Sequence, residues 1–191
     1  MRLALIAIAL LLLAARAHAA GPQLDLDTAT ATPGTVAAVT ITLTRNGASN
    51  IGSTSNDVGF DSTALSITPA TDCTLSTTLL PKPPWMLLSG KVCHNGTHAC
   101  SVDGNCTGSG VPPCDVLRVG VVASPTTAIS GDGVTVTCGF TVAPATYSPS
   151  VATRVSAPSG TYPLSNKPSA YDLHGNPIRG VTGAAGAVIV P

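Results

Sequence analysis

Hydrophobic and polar residues alternate with a period of two along several stretches of this chain, as they do in β-strands with one buried face. In VTITLTRNG, Val39, Ile41 and Leu43 alternate with threonines, and an Asn-Gly pair typical of a tight turn ends the run. The longest alternation, in GVTVTCGFTV, runs from Val134 to Val142. Further strands are predicted in QLDLD, NDVGFDSTALSI, DVLRVGVV, TYPLSN and AAGAVIV. The pattern therefore predicts about nine strands separated by turns.

The alternation stops between Thr68 and Pro113, where one apolar run, Met86–Leu88, stands alone. With Cys114, which follows directly, this segment holds five of the six cysteines. A loop of this length inside a compact domain is uncommon, and it is usually functional or held by cross-links. We therefore predict a cysteine-rich insertion at about residues 69–114, within one domain that spans residues 20–191.

Composition also favours strands. The chain has 25 threonines, 19 glycines and 16 prolines, but only three lysines and no glutamate. Residues that cover the exposed sides of helices are therefore scarce, whereas residues typical of strands and turns are abundant. Together with the alternation, this composition predicts an all-β fold in which two sheets pack as a sandwich.

The first nineteen residues have the parts of a secretory signal peptide. Arg2 precedes an apolar run from Leu3 to Ala15, and Ala17-His18-Ala19 fits the A-x-A cleavage rule. The run is too short to span a bilayer comfortably, so we predict a secreted or periplasmic protein without a membrane span. Cleavage after residue 19 removes two of the nine basic residues, and seven basic against nine acidic residues give a formal charge of −2. Such a balance predicts no nucleic-acid partner.

The stretch CHNGTHACSVDGNC places three cysteines and two histidines within fourteen residues. As a zinc site it would offer Cys93, His94, His98 and Cys100, but the spacing fits no common zinc pattern. No C-x-x-C motif indicates redox chemistry. An even number of cysteines in an exported chain predicts disulfide bonds instead.

All six cysteines are expected to form disulfides: Cys73, Cys93, Cys100, Cys106, Cys114 and Cys138. Six cysteines allow 15 connectivities, and the sequence alone does not choose among them. The four cysteines from residue 93 to residue 114 are close enough for two local bridges. Cys73 would then pair with Cys138, whose side chain shares the core-facing side of its strand, and this bridge would fasten the long segment to the core.

The order of these motifs resembles that of cohesin-like domains. Such domains open with a strand, a Pro-Gly turn, a second strand and an aromatic-Asp-Pro-x-x-Leu corner. Here Pro33-Gly34 and the segment from Phe60 to Leu65 stand in these places, and DVLRVGVV, GVTVTCGFTVAP, GTYPLSN, DLHGNPI and GAVIV follow. The resemblance covers the chain from about Leu24 to Val190. Ser62 stands where the family often has proline, and the cysteine-rich insertion looks more like divergent, non-cellulosomal members.

This resemblance implies a nine-stranded jelly-roll sandwich related to carbohydrate-binding modules. It also implies a non-catalytic protein that binds a dockerin-type module, or another secreted protein, through one sheet face. Cellulosomal cohesins assemble polysaccharide-degrading complexes in this way, using an Asn and an Asp on the strand before the corner. Asn56 and Asp57 lie near these positions, although a solvated strand start is the simpler interpretation, and Arg118 is a further candidate contact.

Binding of an extracellular glycan is the alternative function, and a structural protein of the cell envelope is a third. Glycan-binding modules stack sugars on exposed aromatic rings, which are few in this chain. Trp85 is the candidate anchor, with Tyr147, Tyr162 and Tyr171 as possible helpers. A loop residue that packs beneath the insertion is the alternative interpretation of Trp85.

Catalytic and metal-binding patterns are weak. Without glutamate, acid–base chemistry would need Asp–Asp or Asp–His pairs, and His174 beside Asp172 lies in a turn. No G-x-S-x-G motif is present. Asp103-Gly104-Asn105, and Asp172 with Asn176, could offer oxygen atoms to calcium, but Asx-turns explain both more simply. We therefore predict a binding protein with no catalytic residue, metal or cofactor.

Overall fold

The computed structural model describes residues 21–80, 85–94, 98–101, 106, 113–122, 127–144, 146–148, 153–155 and 159–191. Over these ranges the chain folds as a jelly-roll sandwich of two β-sheets, as the sequence predicts. One helix is found in them, the four-residue α1 (Pro69–Asp72). The predicted signal peptide, residues 1–19, lies outside the described residues and remains a prediction.

The five-stranded sheet is built around two long antiparallel strands. These are β3 (Val36–Thr44) and β10 (Gly133–Val142), which pair over most of their length. On the other side of β3 lies β1 (Gln23–Leu26). Two short strands, β5 (Leu65–Ser66) and β6 (Cys73–Leu75), both pair with β10. The short strands raise the number of elements above the nine that the alternation predicts.

The seven-stranded sheet forms the second layer. In spatial order its strands are β2 (Thr28–Thr30), β14 (Gly186–Val190), β13 (Gly160–Asp172), β4 (Ile51–Gly59), β9 (Val116–Val122), β7 (Met86–Val92) and β8 (Ala99–Cys100). Neighbouring strands are antiparallel, except that β2 and β14 run parallel. A separate backbone hairpin joins β11 (Thr146–Ser148) to β12 (Thr153–Val155).

Strand β13 is longer than the TYPLSN motif predicts, although it contains Pro163 and Pro168. Proline cannot donate a ladder hydrogen bond, so it normally marks a sheet edge or the end of a strand. Here residues 160–164 pair with β14 and residues 165–172 pair with β4. Each half of β13 therefore has a ladder partner on one side, and a proline can leave its other side unpaired.

The N-terminal segment passes from one sheet to the other within a few residues, because β1 and β2 belong to different sheets. Asp27 holds this crossing in place. One of its carboxylate oxygens accepts the Thr40 backbone N–H at 2.8 Å, and the other accepts the Thr40 hydroxyl at 2.8 Å. The crossing lets a single short segment pair with strands of both layers.

The core lies between the sheets and consists of the residues that the alternation assigns to the inner faces. Val39, Ile41 and Leu43 on β3 are each at most 3% exposed. The rings of Phe60 and Phe140 meet edge to face, with centroids 5.5 Å apart, an arrangement favoured by the ring quadrupoles. The predicted core-facing positions agree with the structure except at Val134, where a β-bulge in β10 leaves the valine half-buried and turns Thr135 inward.

The segment predicted as an insertion contributes strands to both sheets. Strand β6 pairs with β10, and β7 pairs with β9 over seven residues. The segment is therefore not one continuous loop, and its being a cysteine-rich insertion at about residues 69–114 stays a prediction. The alternation did not reveal β7, because its apolar residues Met86 and Leu88 lie on its exposed side and are 57% and 53% exposed.

Among the described residues, no helix is long and apolar enough to cross a membrane.

Candidate partner-binding surface

The outer face of the seven-stranded sheet is formed by alternate residues of β13, β4, β9 and β7, and it is called the outer face below. Residues directly opposite each other on paired strands share a face, so the strand registers define rows across it. One row contains Met86, Val122, Ser53 and Tyr171. The next contains Leu88, Gly120, Ser55 and Ser169, and the third contains Gly90, Arg118, Asp57 and Lys167.

The middle row forms the floor of a groove, because its central residues are small. A cavity of about 530 Å³ opens over this floor and is bounded by Leu88, Val122 and Tyr171 on the apolar side. Arg118 bounds it on the polar side. Val122 follows Arg118 by four positions, so their Cα atoms are about 13 Å apart at the rise of an antiparallel strand. This spacing is comparable to the width of an α-helix with its side chains, about 10–12 Å.

An ion pair occupies the polar side of the groove. The Arg118 guanidinium donates to both oxygens of Asp57 at 2.7 Å, in a two-pronged geometry that fixes both side chains. The hydrogen bonds to Asp57 raise the pKa of Arg118 above its ordinary value. The structure therefore brings together two of the three candidate partner contacts, Asp57 and Arg118, on one exposed surface.

Asn56, the third candidate, points the other way. Its side chain lies on the inner side of β4 and the residue is 2% exposed. The Asn56 amide donates to Asn166 Oδ1 at 2.9 Å, and the Asn166 amide donates to the backbone oxygens of Leu24 and Ala184. Because successive residues of a strand face opposite sides, Asn56 and Asp57 cannot both reach the surface. The expectation that Asn56 contacts a partner is therefore corrected.

Trp85 is also buried. It is 5% exposed and belongs to the main hydrophobic core, so its ring faces are not available to stack on a sugar. The expectation of a glycan contact at Trp85 is corrected, and the alternative of a packed residue agrees with the structure. Among the described tyrosines, Tyr171 borders the groove and Tyr162 packs against the core. The side chain of Tyr147 lies outside the described part of the chain.

A disulfide-linked segment adjoins one end of the outer face. We call residues 93–114 the cystine cap; the structure describes residues 93–94, 98–101, 106 and 113–114 of it. Cys93 is bonded to Cys106, and Cys100 to Cys114. The cap continues directly from β7 and returns through β8, which pairs with β7. Its position at the sheet edge follows from this hairpin.

A third disulfide, Cys73–Cys138, joins β6 to β10 inside the core. No free cysteine is found in the structure. The sulfur atoms of Cys93, Cys100 and Cys106 all lie within 4.8 Å of one another, a spacing that metal ligands can adopt. All three sulfurs are engaged in disulfides, however, and zinc requires thiolates.

His94 fastens the cap to the sheet. Its Nδ1 lies 2.8 Å from Asp115 Oδ2, and its backbone N–H donates to the Pro113 oxygen at 3.0 Å. The backbone oxygen of Asp115 in turn accepts the N–H of Phe60. These contacts give the carboxylate–imidazole pair a structural role in joining the cap to β9.

The two calcium candidates differ in what the structure shows. Asp172 accepts hydrogen bonds from the backbone N–H groups of His174 and Asn176 and from the Asn176 side chain. The Asn176 side chain is the largest cause of a lowered pKa at Asp172. This arrangement is the Asx-turn that the sequence suggests. Residues 103–105 lie outside the described ranges.

No protein-family model matches the chain, and no curated protein sequence matches it. Solved structures do match. A cohesin, CaCohA2 of Clostridium acetobutylicum, solved in complex with the dockerin CaDoc0917(R16D), has a TM-score of 0.61 and 14% identity over 89% of this chain and 99% of its own.

Two further cohesins are similar at the same level. The sixth cohesin of Acetivibrio cellulolyticus scaffoldin B, in complex with a Cel5 dockerin mutant, has a TM-score of 0.59 and 18% identity over 90% of this chain and 99% of its own. A non-cellulosomal cohesin of the archaeon Archaeoglobus fulgidus has a TM-score of 0.54 and 18% identity over 90% of this chain and 92% of its own. The architecture therefore defines a jelly-roll sandwich with an exposed sheet face. More particularly, the chain has a cohesin-like fold.

Proposed function

We propose that this protein is a secreted, non-catalytic module that binds a dockerin-type module through the outer face. The observation that carries the proposal is the cohesin-like fold, since two of the similar structures are cohesin–dockerin complexes that match about 90% of this chain. The resemblance in the sequence supports the same partner. A link to extracellular polysaccharide metabolism is part of this proposal.

The chemistry of the outer face supports a protein partner. Met86 and Leu88 are more than half exposed on a paired strand, where a solvated surface would favour polar residues. Gly120 lines the groove between Leu88 and the serines of β4 and adds no side chain there. A glycan would instead require a row of exposed rings, and Tyr171 is the aromatic residue that lines this groove in the described structure. Apolar anchors beside a charged pair are typical of protein–protein interfaces.

Gly120→Leu tests this surface directly. An added Cβ at Gly120 would lie 3.6 Å from the Thr54 oxygen and 3.8 Å from Leu88 Cβ, which are ordinary contacts. The Cβ of a leucine therefore fits at this position, and the rest of its side chain is expected to extend into the groove. Val36→Ser is the matched control for Leu88→Ser, because Val36 is 59% exposed on the five-stranded sheet.

The experiment is capture from the culture medium of the producing organism by immobilised residues 20–191, with calcium present and with mass spectrometry of the bound proteins. We expect proteins with dockerin-type calcium-loop repeats to bind the wild type and Val36→Ser but not Gly120→Leu. With one such module purified, Leu88→Ser should weaken binding by about tenfold or more in calorimetry, as for a central apolar contact. Capture of no dockerin-type module, together with clear binding on a glycan array, would replace this proposal with glycan binding.

A further inference from the structure

A second cavity lies where the cystine cap meets the outer face, and it is called the cap pocket below. It has a volume of about 470 Å³. Its lining is Asp57, Gly59, His94, Val116, Arg118, Ser165 and Lys167. Arg118 borders both this pocket and the groove, so the two cavities form one continuous surface.

The charges of the pocket lining do not cancel. Arg118 and Asp57 neutralise each other through their two hydrogen bonds. Lys167 lies opposite Asp57 in the β4–β13 pairing, yet within the described structure no carboxylate is within salt-bridge distance of its ammonium group. The nearby carboxylate of Asp115 is 12% exposed, lies outside the lining and is bound to His94. Lys167 is therefore left as an exposed cation on the pocket wall.

Two polar groups of the pocket, on Ser165 and Lys167, have hydrogen-bond donors available. The Ser165 oxygen accepts the Gly59 N–H at 3.1 Å, which leaves the Ser165 O–H available as a donor. The Lys167 ammonium group has three donors and no acceptor. A side chain at Gly59 would collide with the Ser165 oxygen, so the glycine keeps the pocket floor open. Such a site is complementary to an anionic acceptor.

We propose that the cap pocket receives a side-chain carboxylate of the partner, an Asp or Glu adjacent to the segment that fills the groove. This inference rests on the proposed function and adds a charged anchor to its apolar contact. The carboxylate would bind the Lys167 ammonium and the Ser165 hydroxyl, while Asp57 holds the Arg118 guanidinium beside them. The cap supplies the far wall through His94, so the cysteine-rich segment takes part in partner selection.

The test is calorimetry with the purified dockerin-type module obtained by capture. Lys167→Gln should raise the dissociation constant by about tenfold, as for an interfacial charge pair. Arg179→Gln is the matched control, because Arg179 is exposed in the loop before β14 and lines neither cavity. It should leave the dissociation constant within about twofold, as expected for a charge distant from the contact. Raising NaCl from 50 to 500 mM should weaken the wild type more than Lys167→Gln, since salt screens the pair.

A double-mutant cycle then identifies the partner residue. Conversion of the correct partner carboxylate to its amide should weaken the wild type but have little further effect on Lys167→Gln. Equal affinities of wild type and Lys167→Gln would overturn the carboxylate site, while loss of binding in Gly120→Leu would still support the proposed function. Lys167-dependent binding of polygalacturonate, without a dockerin-type partner, would overturn both proposals in favour of an acidic glycan.

Discussion

At the scale of single residues, Asp61 organises the corner between β4 and β5. Its carboxylate accepts the backbone N–H of Thr63 at 2.9 Å and the Thr63 hydroxyl at 2.7 Å. Its backbone oxygen accepts the N–H groups of Ala64 and Leu65. The Thr63 hydroxyl is the largest cause of a lowered pKa at Asp61. The corner is thus closed by hydrogen bonds to an ionised carboxylate, with Ser62 at the position after Asp61 where cohesin-like domains often have proline.

This geometry predicts a pH-dependent stability. Because folding lowers the pKa of Asp61, its contribution is fully present above the ordinary carboxyl range and is lost as pH falls through the folded-state value. Asp61→Asn should therefore have a lower melting temperature than the wild type at pH 7, and the difference should shrink below about pH 4. Circular dichroism melts from pH 3 to pH 8 measure this difference. A gap that does not change with pH would contradict the role of the charge.

Asn56 shows how far the orientation of a single side chain can be predicted from the sequence. The alternation identified the inner positions of β3 and of β10 from Val136 to Val142. It was wrong at Val134, because a β-bulge between Val134 and Val136 turns Thr135 inward in its place. In contrast, β4 carries polar residues on both sides, so its pattern is weaker. The local signal that Asn56 and not Asp57 points inward is Val58, a buried residue two positions after Asn56 on the same face. The residue that satisfies the buried Asn56 amide is Asn166, a partner 110 residues away. A pairing at such a distance has no local signal.

At the scale of elements, β7 is also difficult to predict, because it carries apolar residues on its exposed side. It is apolar outside at Met86 and Leu88, and its inner side carries Ser89 and Lys91 beside Leu87, which packs against the core. Apolar residues therefore lie on both faces of β7, and the strand is hard to recognise from its sequence. The Ser89 hydroxyl is satisfied by the Pro69 backbone oxygen in α1. Positions at which an element breaks the ordinary pattern are often functional, which agrees with the place of β7 in the proposed docking surface.

The disulfides are expected to contribute different amounts to the free energy of unfolding, depending on which elements they join. Cys73–Cys138 closes a separation of 65 residues, whereas Cys93–Cys106 closes 13. By loop-closure entropy alone, the first should contribute about 4 kcal/mol and the second about 3 kcal/mol. The variant with Cys73→Ala and Cys138→Ala should therefore lose more free energy of unfolding in urea than the variant with Cys93→Ala and Cys106→Ala. The opposite ranking would show that the cap, and not the β6–β10 bridge, limits stability.

At the scale of the whole molecule, three bridges account for all six cysteines. Because all six cysteines are oxidised, we expect no reactive thiol when the purified protein is denatured without reductant and titrated with a thiol reagent. Denaturation after reduction should expose six thiols and provides the control. Six thiols without reduction, or one equivalent of zinc by elemental analysis, would contradict the oxidised state and the proposed export.

The pairing of β2 with β14 has a consequence for the order of events in folding. Thr28 to Thr30 lie beside Ala187 to Ile189, so this parallel ladder joins segments about 159 residues apart in the chain. Contacts of such separation require closing a very long loop and form late. Because β2 is the edge strand of the seven-stranded sheet and pairs with β14, that sheet does not have its final edge until residue 189 has been synthesised. The five-stranded sheet needs no strand beyond β10. We therefore expect the seven-stranded sheet to be completed in a slow late step, which a growing chain cannot begin before residue 189 is available.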